Sequence, residues 1–307
     1  MNVVRRPGGR LQPRVSVVMP FLDPHPTHLE EAINSLLDQT FEDWELILVN
    51  DSSDQPATAL AASYQASHRE KIRLLSPEGL GPSGTSAARN RGISESEGEY
   101  VALLDADDIY LRDRLARHVE ILDRTPEAAM VFGDTLHWYG WGDPPERGDE
   151  HRSAGVAAGI VEPPLLLYRF LRGRGESLTT CSLTVRRSAI TEVGGFEHEW
   201  TGLCDTNVFT AKLFANFPSI YSPGLVAKYR RHPDSMCRRA THETEVEARR
   251  KFVEWVMGYA GRELEEPVRS DVTRACRSAL WQLDHPRAGD AIRIFWKASR
   301  RVGALLR

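Results

Sequence analysis

The segment from Tyr100 to Asp108, YVALLDADD, joins a short apolar run to three carboxylates. Val101 to Leu104 has the length and composition of a buried strand. Asp105 and Asp107 follow it two residues apart, and in extended backbone such positions project to the same side, whereas Asp108 points away. Two converging carboxylates are suitable ligands for Mg²⁺ or Mn²⁺. The remaining coordination positions of such a cation are available to water and substrate phosphates. The motif therefore predicts a cation site, and the alternative is a solvated N-cap before the helix LRDRLARHVEIL.

Composition limits the classes of protein to which this chain can belong. Its 307 residues are 41% hydrophobic and 27% charged, which predicts one large globular domain, or one domain with an appendage. A net charge of -4 argues against general nucleic-acid binding. The first 14 residues carry charge but no apolar signal region, and no run of about 20 apolar residues occurs. We expect a flexible leader over residues 1–14 and a cytoplasmic location.

The four cysteines are widely separated and form no C-x-x-C pair. This spacing is typical of reduced thiols rather than of a disulfide framework or a zinc site. We therefore expect no metal at Cys181, Cys204, Cys237 or Cys276.

Strand and helix patterns alternate along the first half of the chain. VSVVMP and WELILVN read as buried strands, and KIRLLS and YVALL as two more, with helical patterns between them. Thr27 and Glu30 have the spacing of a capping box at the start of the first helix. This order predicts a mostly parallel sheet with helices on both faces. Ligands bind beyond the carboxyl ends of such strands, where Asp51, Asp105 and Asp107 share one rim.

The second half of the chain is less regular. AAMVFGD predicts a strand, and residues 135–162 are rich in Gly, Pro and charge, which favours a loop. Trp138, Tyr139 and Trp141 in that loop belong either to a solvated insertion or to a surface that stacks on a sugar ring. The segment WTGLCDTNVFTAKLF then predicts a helix with Asp205 near its start. YSPGLVAKYRRHPDS predicts a strand followed by a basic turn, and the residues after Cys237 predict charged helices.

Four blocks in this order resemble glycosyltransferase family 2, the inverting sugar-nucleotide transferases of the GT-A fold. VSVVMPFLD is similar to the family's opening strand, and LDQTFEDWELILVNDSS to its second block. GTSAARNRGI matches G-x-x-x-A-R-N-x-G, and LLDADD matches L-D-x-D-D. R-x-x-x-x-x-x-G-G-F and Y-R-x-H-x-x-S follow, so the resemblance runs from about Arg14 to about Cys237. It implies an α/β fold with a GT-A-type, Rossmann-like sheet and a helical C-terminal extension.

The resemblance also assigns roles to residues of the donor site. Asp51 would accept a hydrogen bond from the nucleotide base, Arg89 would face the nucleotide's anionic groups, and Asp107 would bind the metal beside the diphosphate. The implied nucleotide-binding residues are Pro20, Phe21, Asp51, Ser53, Arg89, Asp105 and Ala106, and the implied metal ligands are Asp107, Asp105 and His232. Ser52 replaces the usual glycine of the family's D-G-S turn.

On the acceptor side, the resemblance implies that Asp205 is the general base of a Mn²⁺- or Mg²⁺-dependent inverting transfer. The donor would be a nucleoside-diphosphate sugar, and the acceptor a hydroxyl of a saccharide, a lipid-linked glycan or a small molecule. Cys204 stands where the family often has a glutamate before this base. We expect a catalytic domain over residues 15–237, with a donor half at 15–134 and an acceptor half at 135–237, and a helical extension at 238–307.

Two other functions stay open from the sequence. A sugar-phosphate nucleotidyltransferase also uses a parallel sheet with acidic metal ligands, although FLDPHPTH stands where its Gly-rich signature would be. A catalytically inactive sugar-nucleotide-binding protein is the other alternative. Neither the sugar nor the acceptor is identified, because both depend on the variable segment 135–178.

The last 19 residues have an amphipathic pattern. Ile292, Phe295, Trp296, Val302 and Leu306 fall on one side of a predicted helix, and Arg293, Lys297, Arg300 and Arg301 on another. We expect this helix to pack on the catalytic domain or in a homodimer, with peripheral contact to the inner face of a membrane as the alternative.

Overall fold

A computed structural model describes residues 12–51, 55–76, 83–142, 145–172, 178–200, 202–233 and 235–286. The strands are β1 (Val15–Phe21), β2 (Trp44–Asn50), β3 (Ile72–Leu75), β4 (Tyr100–Leu103), β5 (Ile109–Tyr110), β6 (Met130–Trp138), β7 (Glu150–Arg152), β8 (Gly159–Val161), β9 (Leu183–Arg186) and β10 (Ser219–Arg230). The helices are α1 (Pro26–Leu37), α2 (Gln55–Ser67), α3 (Thr85–Ser94), α4 (Arg114–Arg124), α5 (Leu165–Leu171), α6 (Arg187–Glu192), α7 (Asp205–Asn216), α8 (Met236–Arg239), α9 (His242–Glu263) and α10 (Val268–Asp284). Within the described ranges the strands form one sheet.

The first half of the sheet is parallel, in the order β3-β2-β1-β4. Every residue of β1 and β2 is buried, because helices cover both faces. Side chains alternate along β1, so Val17 packs in the same apolar cluster as Leu29 of α1, and Val18 in the opposite cluster with Ala88 of α3. The predicted α/β sheet with helices on both faces is confirmed.

The second half of the sheet is mixed. β9 lies antiparallel between β4 and β6, and β6 pairs in parallel with β10. The prediction of a loop over residues 135–162 is wrong in part, because β6 continues to Trp138 and the segment contains β7 and β8. Thr135, Leu136 and His137 pair with β10 on one side and with β7 on the other. This long-range pairing overrides the local Gly, Pro and charge signal.

The predicted capping box at Thr27 and Glu30 is also wrong. α1 begins at Pro26, and its N-cap residue His25 makes no side-chain cap hydrogen bond. Proline suits the first position of a helix, where its missing N–H is not needed and its fixed φ matches the helical value. Thr27 therefore lies inside the helix.

Two long charged helices follow β10 and the short α8, as predicted for the residues after Cys237. α9 and α10 pack on each other, α9 also contacts α7, and α10 contacts α5. Phe252, Val256, Val272 and Cys276 are buried between these elements. Among the described helices, none has the combined length and apolar character needed to cross a bilayer. The amphipathic segment from Ile292 to Leu306 lies outside the described residues.

Gly92 sets how closely α3 approaches the sheet, and Gly92→Ala tests this contact. An added Cβ would overlap Val18 Cγ1 and lie 3.0 Å from Val49 Cγ2. We expect the variant to lose about 1–3 kcal/mol of unfolding free energy, since extra atoms in a packed core force side chains and backbone to shift. Urea denaturation followed by circular dichroism measures the change.

Gly261→Ala is the matched control. Gly261 lies in α9 with open space around it, so alanine should stabilise the protein by up to about 1 kcal/mol through helix propensity. Equal effects of the two substitutions would contradict the close-packing argument.

Candidate active site

The three acids after β4 lie in a tight turn. The Asp108 N–H donates to the Asp105 carbonyl across 3.1 Å. The prediction that Asp105 and Asp107 share one side of an extended segment is therefore wrong, because the backbone turns immediately after the strand. Asp108 is fully buried, and its Oδ1 accepts a hydrogen bond from the Arg230 N–H at 2.9 Å. Asp108 thus attaches the turn to the end of β10.

Arg89 of α3 joins two of the predicted site acids. Its Nη2 donates to Asp105 Oδ1 at 2.7 Å, and its Nη1 donates to Asp205 Oδ2 at 2.8 Å. The arginine is 3% exposed, and the side chains of its partners are 26% and 14% exposed. One buried guanidinium therefore holds the predicted donor-side acid and the predicted base in fixed positions.

Burial and charge act in opposite directions on this group. Burial lowers the pKa of Arg89, but attraction to Asp105 and Asp205 outweighs it and raises the pKa, so the guanidinium stays charged. Burial raises the pKa of Asp105, and repulsion from Asp107 adds to this shift while Arg89 opposes it. The site is thus rich in carboxylate, and the arginine balances only part of the negative charge.

The neighbouring residue of the A-R-N motif fixes the loop before α7. The Asn90 side chain accepts from the Phe196 N–H at 2.7 Å and donates to the Phe196 carbonyl at 2.8 Å. Gly195 has φ +68°, and a Cβ there would lie 2.5 Å from Asn90 Oδ1, so this turn requires glycine. The Phe196 ring stacks on Phe209 at 4.2 Å and lies 5.2 Å from the Arg89 guanidinium. The A-R-N and G-G-F motifs therefore form one unit.

Asp205 is the first residue of α7. Its Oδ1 accepts from the Thr206 N–H and, at 3.2 Å, from Thr206 Oγ1, so the carboxylate satisfies a free amide at the helix N-terminus. The preceding residue, Cys204, has φ +76°, a left-handed conformation that is strained for a residue with a Cβ. The backbone turn at Cys204 directs the Asp205 side chain toward Arg89.

Asp51 follows β2, as predicted, and holds the loop that begins α3. Its Oδ1 accepts from the Ser83 N–H at 2.6 Å and from Ser83 Oγ at 2.7 Å, and its Oδ2 accepts from the Gly84 N–H at 2.9 Å. The Phe21 ring is 2% exposed in the core beside α1, and Pro20 is buried in β1. Ser53 lies outside the described residues.

Asp107 and His232 meet at the edge of the site. His232 Nε2 lies 3.0 Å from Asp107 Oδ2, and both side chains are partly exposed, at 18% and 31%. A carboxylate and an imidazole are suitable ligands for Mn²⁺. Within the described ranges, no three His, Cys, Asp or Glu side chains form a complete metal site. Asp107 and His232 could therefore supply two ligands to a cation, and its other ligands would have to come from outside this pair.

Sequence reasoning missed Arg230, which positions this pair. Arg230 is 2% exposed, its Nε donates to the Asp107 carbonyl at 2.8 Å, and it forms an ion pair with Glu31 of α1. Its guanidinium lies 4.4 Å from the Trp138 ring centroid and 5.5 Å from that of Trp141. The only signal in the sequence is its place in Y-R-R-H.

His28 of α1 is a second residue that the sequence did not indicate. Its ring lies 5.8 Å from that of His232 and 5.3 Å from that of Trp141. Burial lowers the pKa of His28 to about 4, and the charges of Arg230 and His232 add to this shift. A neutral imidazole therefore lies beside the Asp107–His232 pair at neutral pH.

Arg89→Met tests how strongly the bridge contributes to stability. The substitution leaves two partly buried carboxylates without their shared cation, so we expect a loss of about 3 kcal/mol of unfolding free energy. Chemical denaturation at neutral pH measures it. Arg124→Met is the control, because Arg124 is exposed in its pair with Glu120 and should change stability by less than about 0.5 kcal/mol. A loss at Arg89 as small as that of the control would contradict the bridging role.

Comparison with known proteins places this site in a family. Residues 16–189 match the model of glycosyl transferase family 2. The putative glycosyltransferase EpsE of Bacillus subtilis is 33% identical over 169 residues, which are 52% of this chain and 60% of that protein. The O-antigen biosynthesis protein RfbC of Myxococcus xanthus is 29% identical over 62% of this chain and 14% of its own length. The chain thus spans less than two thirds of either relative.

Solved structures share the fold. S. aureus TarS 1-349 in complex with UDP-GlcNAc is 19% identical, with a TM-score of 0.63 over 85% of this chain and 70% of that chain. The mannosyltransferase PcManGT from Pyrobaculum calidifontis, in complex with GDP-Man and Mn²⁺, is 17% identical, with a TM-score of 0.60 over 96% of this chain and 80% of that chain. These similarities confirm the predicted GT-A-type fold. Because the family model matches more than half of the sequence, the chain belongs to glycosyl transferase family 2.

Proposed function

We propose that this protein is a metal-dependent, inverting glycosyltransferase that moves a sugar from a nucleoside diphosphate to an acceptor hydroxyl. The observation that carries the proposal is the contact of one buried guanidinium, that of Arg89, with both Asp105 and Asp205. The Arg89 guanidinium thereby holds the proposed donor-side acid, Asp105, and the candidate base, Asp205, on its two sides. Family membership supports the reaction class, and it disfavours the nucleotidyltransferase alternative.

The donor would lie along the rim formed by Asp51, the start of α3 and the turn after β4. Asp51 would contact the base, Ala106 and Asp105 would contact the nucleotide, and the amides at the start of α3 would face its anionic groups. Arg89, which is 3% exposed and bonded to two carboxylates, would act on the nucleotide by holding Asp105 in place. Asp107 and His232 would hold Mn²⁺ or Mg²⁺, with Asp105 nearby. When bound, the cation compensates the charge that develops on the leaving diphosphate.

Asp205 would act on the acceptor. Its carboxylate takes the proton of the attacking hydroxyl while the acceptor oxygen bonds to the anomeric carbon, and the bond from that carbon to the diphosphate oxygen breaks. Attack from the face opposite the leaving group inverts the anomeric centre. Arg89 orients the carboxylate, and the Thr206 contacts hold its second oxygen.

The alternative bases are Asp134, Glu197 and Glu199, and Asp205 differs from them in being joined to Asp105 through Arg89. Asp134 accepts hydrogen bonds from Tyr221 Oη at 2.5 Å and from the Gly224 N–H at 3.0 Å, and its Oδ2 lies 2.9 Å from His151 Nε2. Glu197 pairs with buried Lys212 at 2.7 Å. Both carboxylates therefore have structural partners.

The domain limits and the cellular location belong to the same proposal. We place the donor half at residues 15–134, the acceptor half at 135–237 and a helical extension at 238–307. A cytoplasmic protein with peripheral contact to the inner membrane face, or a homodimer through the C-terminal helices, agrees with this activity. Both forms of contact depend on residues beyond 286, outside the described part of the chain.

The metal prediction concerns Asp107. Asp107→Ala should abolish transfer and weaken donor binding in Mn²⁺ or Mg²⁺, because one of few protein ligands is lost. Chelation by EDTA should silence the wild type, and added metal should restore it. Release of nucleoside diphosphate from a panel of nucleotide sugars measures both effects.

Asp113→Ala is the matched control for the metal prediction. Asp113 is exposed before α4 and makes no side-chain cap hydrogen bond, so its loss should leave activity intact. Full wild-type activity in excess EDTA would refute the metal assignment.

The base prediction concerns Asp205→Asn, which keeps the shape of the side chain but cannot accept the proton. Transfer should fall by about 100-fold to 10,000-fold, the usual contribution of general base catalysis, while donor affinity changes little. Asparagine still satisfies the helix N-terminus, so the fold should persist. Turnover and calorimetric donor binding, both in saturating metal, measure the two quantities.

Asp271→Asn is the control, since Asp271 is also a first-turn acid, on α10, and should not affect transfer. Near wild-type turnover by Asp205→Asn would remove this residue from the mechanism. Donor binding without turnover in the wild type, with every acceptor tried, would favour the binding-only alternative.

A further inference from the structure

Three strands of the acceptor half present alternate residues on one face of the sheet. In the register, Thr135 of β6 lies opposite Arg152 of β7, and His137 lies opposite both Glu150 of β7 and Tyr229 of β10. Because side chains two residues apart share a face, these residues line one surface. We call it the β6-β7-β10 face.

This face carries more positive than negative charge. Arg147 Nη2 lies 3.1 Å from Glu150, and Arg152 pairs with the same carboxylate. Arg231 follows β10, and its guanidinium lies 5.4 Å from the Tyr229 ring of the same face. Among the described residues, Asp149 is another acid nearby, and its Oδ1 is occupied by two backbone amides, each at 2.9 Å. Two guanidiniums therefore share the Glu150 carboxylate and a third lies near them, although the whole chain has a net charge of -4.

His137 responds to this excess of positive charge. Burial, together with the charges of Arg231, Arg152 and Arg147, lowers its pKa to about 4, and Glu150 opposes this shift. Protonation of His137 is therefore unfavourable. The same positive potential attracts an anion.

The face adjoins the candidate base on the acceptor side. Arg152 and Thr135 line a small cleft together with Thr179 and Ser182. The next residue, Thr180, has its Oγ1 2.9 Å from Oγ1 of Thr206, which directly follows Asp205. The donor-side residues Asp51 and Ser83 lie at the other end of the site, beside β2 and α3.

We propose that the β6-β7-β10 face binds an anionic group, a phosphate or a carboxylate, that the acceptor carries. This inference rests on the proposed glycosyltransferase activity and adds the chemical class of the acceptor to it. Guanidinium groups bind both anions with charge-assisted, often bidentate hydrogen bonds. The rings of Tyr139 and Tyr229, which lie 3.8 Å and 5.4 Å from guanidinium groups, hold Arg147 and Arg231 in place.

The test uses the full-length protein in saturating metal with three probes on one scaffold: glucose, glucose 6-phosphate and glucuronate. Transfer to each probe is measured, together with the concentration at which each changes the rate of donor hydrolysis. Both anionic probes should act at concentrations about tenfold or more below the concentration at which glucose acts. A tenfold difference is the effect expected from one charge-assisted hydrogen bond. Comparison of the phosphate with the carboxylate identifies which anion is preferred.

Arg152→Gln and Arg147→Gln separate this face from the donor site. Each variant should reduce the preference for the anionic probes to about threefold or less, since each removes one guanidinium. Arg124→Gln, at an exposed pair on α4, should keep the wild-type preference. The donor concentration for half-maximal hydrolysis is measured for every variant, so that a damaged donor site is recognised.

The possible outcomes are distinguishable. Equal potency of the three probes, in a protein that hydrolyses its donor, overturns the inference and leaves the proposed function intact. An anion effect that persists in both variants also overturns it, because the anions then compete at the diphosphate site. Failure to bind or hydrolyse any nucleotide sugar overturns the proposed function itself.

Discussion

The site depends on one buried positive charge. Arg89 is almost fully enclosed, and only the carboxylates of Asp105 and Asp205 compensate the cost of removing its charge from water. The same guanidinium reduces the repulsion among acids that come from two distant parts of the chain. Its position is fixed by the Phe196 ring beneath it, and Asn90 holds the backbone of that phenylalanine. The adjacent arginine and asparagine of one helix therefore act as a single device that joins the donor and acceptor halves.

Close packing of α3 on the sheet allows this bridge to form. Gly92 brings the helix against β1 and β2, and Asp51 holds the loop that leads into it through three hydrogen bonds. On the other side, the left-handed conformation at Cys204 costs about 1–3 kcal/mol and is maintained only because the surrounding contacts fix it. The strain thus lies next to Asp205, where the direction of one side chain matters most.

Local patterns predicted the fold as far as β4, because each strand is a short apolar run, α1 has apolar residues at helical spacing and α2 is rich in alanine. The rim of Asp51, Asp105 and Asp107 was predicted from the topology of parallel strands alone. The errors occurred where tertiary contacts decide the conformation, as at the strands within residues 135–162 and the turn after β4. The bridging role of Arg89 and the position of Arg230 were not predictable. Each has a partner more than 100 residues away, at a separation of 116 for Arg89 with Asp205 and 123 for Arg230 with Asp107.

The two halves of the site are held in different ways, and this difference bears on specificity. On the donor side, backbone amides, the Arg89 bridge and helix packing fix each polar group, so substitutions there disturb the fold as well as binding. On the acceptor side, Arg147 and Arg152 lie on or beside β7, a three-residue strand paired through β6, and both are at least one third exposed. Charges on such a strand can change with little effect on the core. At the proposed acceptor face, changes of charge would therefore alter acceptor preference more than the fold.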